Sequence, residues 1–171
     1  SASTEVATAT DNCTPDLSID ISQSETSTYS ADPASLLHYN YVITRTWKAT
    51  DVTGNFSTCN QAVTVRDLTA PVITCPVNAT VNCDADHTSA ATGTATATDN
   101  CAPVPNIAIT QSETSTYSAL PADLLHYNYV ITRTWKATDV AGKSSTCNQT
   151  ITVQDVTAPL ITCPDNVIVN C

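Results

Sequence analysis

Methionine is absent from this chain of 171 residues, glycine occurs three times and phenylalanine once. With no Met to begin it, the sequence is expected to be an interior part of a longer precursor. Cations are scarce as well: 6 Lys and Arg stand against 16 Asp and Glu, a formal charge of −10. No basic stripe is present to displace counterions from phosphates, which excludes nucleic acid as a partner. The same charge argues against anionic membrane surfaces, and no apolar run approaches the ~20 residues of a membrane span. Catalytic signatures are missing too. The chain has no Gly-x-Ser-x-Gly elbow, HExxH or phosphate loop, and His38, His87 and His126 have no Cys or Ser beside them in a nucleophile pattern. The expectation is a protein that is not an enzyme.

What the chain does have is a copy of itself. Residues 1–83 fall on 89–171 at an offset of 88 without a gap, and LLHYNYVITRTWKATDV stands both at 36–52 and at 124–140. Self-similarity at a fixed period marks duplication of one folding unit. A feature copied with the unit belongs to the scaffold, or to a binding site used repeatedly.

The segments read as strands. TATAT at 94–98, NIAIT at 106–110 and TITV at 150–153 alternate, and β-branched residues dominate. In the longest run, 127–139, one face carries Tyr127, Tyr129, Ile131, Arg133, Trp135 and Ala137, so this is the core face. Arg45 with Trp47, and Arg133 with Trp135, are therefore core residues, the guanidinium packed on aromatic surface and paired with Glu25 or Glu113. About seven short strands per unit point to an all-β fold of tandem immunoglobulin-like β-sandwich repeats. The segment DLTAP at 67–71 returns as DVTAP at 155–159, and its Pro stiffens a connection and breaks a ladder. The expected division is 1–66, a repeat lacking its first strand; 67–154, a complete repeat; and 155–171, the first strand of a following one.

Each copy holds four cysteines: Cys13, Cys59, Cys75 and Cys83, then Cys101, Cys147, Cys163 and Cys171. They contain no CxxC, so disulfides in an oxidising compartment are expected rather than zinc. The sandwich order predicts Cys101 with Cys147 and Cys13 with Cys59. Cys75 with Cys83, and Cys163 with Cys171, pair locally only if the chain reverses between them, since a straight strand of that length spans ~26 Å; otherwise they reach other strands or another subunit.

The acidic residues suggest a cation. The turns after Thr98 and at Asp139 are expected at the same pole, where the 67–71 linker arrives. Asp67, Asp99, Asn100 and Asp139 would then converge, with Asp11, Asn12 and Asp51 as the first copy's set. Carboxylate and amide oxygens suit Ca²⁺, which takes six to eight of them. The competing account is that Asp and Asn merely build turns.

The segments TAPVITCP at 69–76, ATDNC at 97–101 and YVITRTWKATD at 129–139 resemble the HYR-like (hyalin-repeat-like) immunoglobulin-type repeats. They are similar in particular to the four-cysteine variety in long bacterial surface proteins, among them Bacteroidetes adhesins of the gliding-motility type. The resemblance spans the chain and implies a sandwich fold, an extracellular location and a tandem array, but no ligand. One departure is Gly142-Lys143 where the first copy has Gly54-Asn55, so Asn55 is not a required ligand or turn residue.

Three functions follow as expectations. The first is a structural and adhesive module in the stalk or fibre of a cell-surface protein, its partners neighbouring repeats or other copies of itself. The second is a filament subunit joined by strand donation. The third is a module binding surface glycans or another ligand.

Overall fold

The computed structural model describes residues 6–170. The chain is built mostly of β-strands in sheets. Strands β1 (Asp20–Ser27), β2 (Tyr41–Thr50) and β3 (Phe56–Val65) form one antiparallel sheet in the order β1-β2-β3. β4 (Val72–Thr74) and β6 (Thr96–Thr98) pair with each other. β5 (Ala79–Asn82), β7 (Ala108–Ser115), β8 (Tyr129–Thr138) and β9 (Ser144–Gln154) make a four-stranded sheet ordered β5-β9-β8-β7. Within it β5 runs parallel to β9, with Ala79 opposite Ile151 and Val81 opposite Val153. Helix is confined to single turns such as α1 (Leu36–Tyr39) and α2 (Ser89–Thr92).

Why these residues make strands is clearest in β2 and β8, which share the sequence YVITRTWKAT. Alternate side chains of a pleated strand point to opposite faces. In β8 Ile131, Arg133, Trp135 and Ala137 are buried, while Lys136 is exposed. The same residues in β2 are only half-buried. Composition cannot cause that difference; cover does. At α2 the chain turns at Gly93, whose φ of 101° disfavours any L side chain, and a Cβ there would come within 2.9 Å of Pro76.

Contacts divide the chain into two compact units. The first holds the chain up to Ile73 together with Ala97–Ile109 and Ala137–Ser145. Its core is Tyr39 of α1 packed with Ala97, Ala102, Ile107 and Ala137. Tyr39 also donates to Pro33 O at 2.8 Å, and Asn106 Nδ2 donates to the same carbonyl at 2.8 Å. The second unit holds Thr74–Thr96, Thr110–Lys136 and the chain from Thr146 on. Its core is Ile131, Ile151 and Val153, with Val81, Cys83 and Tyr129 against them. Residues of both copies thus contribute to the first unit, with Tyr39 packed against residues of the second copy.

The cysteine pairing differs from the expectation. Cys147 is bonded to Cys75, with Cα atoms 5.9 Å apart, and not to Cys101. Cys147 lies three residues into β9, about 10 Å along the strand from Ser144, whereas Cys101 sits in the turn after Asp99. Cys83 is unpaired, its expected partner Cys75 being bonded to Cys147. Cys13 and Cys59 are each exposed and unpaired, as is Cys163. The expected partner of Cys163, Cys171, lies outside the described residues. Closing a loop across a sequence separation of 72 stabilises the fold by on the order of 4 kcal/mol in the chain-entropy account.

Candidate metal centre

Asp67 and Asp99 bring ligand atoms together with Cys101 in the first unit, and Asp139 belongs to the same unit; each Asp is held for a local reason. Asp67 begins the linker and is held there by its own backbone, whose N–H donates to Asn40 Oδ1 at 3.1 Å. Its Oδ1 accepts from the Thr69 N–H at 3.1 Å. Asp99 follows β6 and closes an Asx turn, its Oδ1 accepting from the N–H groups of Cys101 (2.8 Å) and Ala102 (2.9 Å). Asp139 follows β8 and organises the hairpin turn to β9. Its Oδ1 accepts from the Lys143 N–H at 2.8 Å, and Gly142 adopts a φ of 82° to complete the turn.

All three carboxylates thus spend one oxygen on the backbone. The other oxygen, Oδ2, is buried in each and has no hydrogen-bond partner. Asp67 is 3% exposed and Asp139 5%. Ligand atoms of Asp67, Asp99 and Cys101 lie within 4.8 Å of one another. Partial desolvation raises the Cys101 thiol pKa, and the negative charges of Asp67, Asp99 and Asp139 raise it further. Asn100 does not join them. It is exposed, and its Nδ2 is directed at Cys101 Sγ, 3.2 Å away.

The first copy's set is arranged differently. Asp11 Oδ1 accepts from the N–H groups of Cys13 and Thr14, which lowers its pKa, while the charge of Asp51 opposes that shift. Asp11 and Asp51 line one shallow pocket of about 220 Å³. Asp51 is fully occupied within its own turn. Oδ1 accepts from the Thr53 hydroxyl and the backbone of Thr53 and Asn55, and Oδ2 accepts from Asn55 Nδ2 at 3.0 Å. The Thr53 hydroxyl bond, foremost, brings its pKa down to about 2. Asn12 is exposed. At the corresponding positions the second copy has Ala141 and Lys143, which cannot make those side-chain bonds. That exchange is what leaves Asp139 Oδ2 free, and it is visible in the sequence once the two turns are aligned.

Arginine supplies the other buried polar cluster. Arg133 is 1% exposed. Its Nε donates to Glu113 at 2.5 Å, Nη1 to Thr92 Oγ1 at 2.7 Å and Gln149 Oε1 at 3.2 Å, and Nη2 to His87 O at 2.8 Å. The guanidinium lies 6.0 Å from the Trp135 ring. Arg45 makes the equivalent bond to Glu25, but it is less buried, beside Trp47 in β2. A cleft of about 620 Å³ opens beside the Arg133 cluster, lined among others by His87, Tyr117, His126, Tyr127 and Tyr129. His126 Nδ1 is 2.9 Å from Ser118 O, and its ring packs against Tyr117 at a tilt of 39°.

No protein-family model matches the chain, and no curated protein matches it.

Proposed function

We propose that the chain is a structural and adhesive module of an extracellular stalk or fibre, built of tandem immunoglobulin-like repeats of the HYR-like kind and bearing load along its length. The observation that carries this reading is the clamp formed by β5, β9 and the Cys75–Cys147 bond. β5 follows the incoming linker by way of β4 and Cys75, and β9 runs into the outgoing one. Parallel strands pulled from opposite ends are loaded in shear, so their hydrogen bonds resist together rather than opening one at a time. The disulfide adds a covalent route: force entering at Cys75 leaves at Cys147, and the residues between are shielded.

Single-molecule stretching between handles at 67 and 155 tests this. In the oxidised protein the repeat should yield almost no extension; after reduction an additional ~250 Å should appear, from residue spans of ~3.5 Å each. Full extension without reductant would sink the mechanical reading. Reduced Cys75 and Cys147 in native material alkylated at harvest would sink the extracellular one.

A second reading, strand donation between copies, is favoured by one specific match. PLITCPDNVIVNC at 159–171 repeats PVITCPVNATVNC at 71–83, the segment that supplies β4, β5 and Cys75. Through residue 170 it forms no strand, and Val167, Ile168 and Val169 are 87%, 99% and 87% exposed. Cys59, the counterpart of Cys147, is exposed on β3.

A further inference from the structure

We propose that Asp67 and Asp99, whose ligand atoms lie together, are the core of a site for a hard divalent cation, Ca²⁺, which draws in the open carboxylate oxygen of Asp139 and so fastens the linker to the turns after β6 and β8. This does not rest on the fibre reading, since it concerns only the local chemistry of three side chains. Ligand atoms of Asp67, Asp99 and Cys101 lie within 4.8 Å of one another, and Asp67, Asp99 and Asp139 each have a buried oxygen, Oδ2, with no donor. A buried polar atom left without a partner is costly, and a buried negative charge more so. Setting Asp67 beside Asp99 compounds the cost by mutual repulsion. Protein donors do not relieve it: the neighbouring N–H groups all serve the Oδ1 atoms. No ion pair reaches them either; among the described residues the salt bridges are Arg45 with Glu25 and Arg133 with Glu113.

The donor set selects the ion. Carboxylate oxygens predominate over the single sulfur of Cys101, and no His belongs to the cluster. Hard oxygen ligands suit Ca²⁺, whose remaining positions water and backbone carbonyls fill, whereas zinc prefers thiolate and imidazole. The two copies differ in the way a site requires. In the first, Thr53 and Asn55 satisfy the turn carboxylate from within; in the second, Ala141 and Lys143 leave it open. Asp67 belongs to the linker, so a bound ion ties the linker's course to the turns after β6 and β8.

The test uses the whole chain. Terbium luminescence, excited through the Trp and Tyr residues, should saturate and be displaced by Ca²⁺. In calorimetry, millimolar Ca²⁺ should raise the melting temperature by roughly 5 °C or more over EDTA. Asp139→Asn and Asp67→Asn should each weaken terbium binding at least tenfold and remove the thermal shift. In EDTA the Asp139→Asn protein should melt no lower than the parent, since it sheds one buried charge. Asp51→Asn should leave both readouts unchanged. Equal melting in EDTA and Ca²⁺ with no saturable terbium signal would overturn the proposal. So would a shift produced by zinc and not by Ca²⁺ that Cys101→Ser abolishes.

Discussion

Arg45 and Arg133 occupy the same place in two identical ten-residue strands, yet they live in different surroundings. Arg133 spends all three of its nitrogens on Glu113, Thr92, Gln149 and the His87 carbonyl, and Gln149 in turn donates to Val77 O and Thr92 O. Removing the guanidinium would strand a fully buried Gln149 Oε1, although Glu113, 40% exposed, would recover water. Arg133→Met is therefore expected to cost about 2–3 kcal/mol in urea denaturation, below the value for a wholly buried ion pair. Arg45→Met, with one bond and a guanidinium that is itself partly exposed, should cost less than about 1 kcal/mol. Equal losses at the two positions would show that the surrounding network adds nothing.

Asp51 gives a second residue-scale expectation. Its pKa is depressed from 3.8 to about 2. A carboxylate depressed on folding contributes stability above its unfolded value and loses it as the pH falls through the folded one. The 51–55 turn should thus weaken between about pH 4 and pH 2. A carboxyl-carbon NMR titration should place the Asp51 midpoint near 2, and Asn55→Lys, which imitates the second copy, should move it upward. A midpoint at the ordinary carboxylate value would refute the turn's hydrogen-bond account.

At the scale of the element, period and pattern made much of the fold legible. The alternation in YVITRTWKAT places Arg133 and Trp135 on one face, as β8 has them. The hairpin turns at 51–55 and 139–143 follow from Asp and Gly at fixed places. The disulfide was not legible in the same way. Pairing Cys101 with Cys147 assumes that residues near one pole in strand order are near in space, but three residues along β9 move Cys147 about 10 Å away from that strand's start. The parallel pairing of β5 with β9, which brings the segment after Cys75 alongside, has no local sequence signal because it joins strands some seventy residues apart. The acidic pole lies between these cases. Turn chemistry pointed to Asp67, Asp99 and Asp139, but only the structure distinguishes the oxygens that make turns from those left over. Asn100 illustrates the limit, since a neighbour in sequence need not share a direction.

At the scale of the molecule, the parallel clamp can be carried one repeat back along the chain. β3 is an edge strand in the order β1-β2-β3, and edges invite pairing. Moving the β5–β9 register by the period of 88 sets Val167 opposite Val63, Ile168 opposite Thr64 and Val169 opposite Val65. It also sets Cys163 against Cys59, as Cys75 stands against Cys147. A second copy can supply the segment, burying apolar side chains that are now almost wholly exposed. If strand donation operates, the purified oxidised chain will form a concentration-dependent ladder, and peptide mapping will find Cys59 joined to Cys163 of another molecule. Cys163→Ser should remove the covalent ladder while light scattering still detects weaker association through the strand. Val169→Asp, which places a charge on the docking face, should abolish both. A chain that stays monomeric at high concentration under oxidising conditions rules out donation between copies.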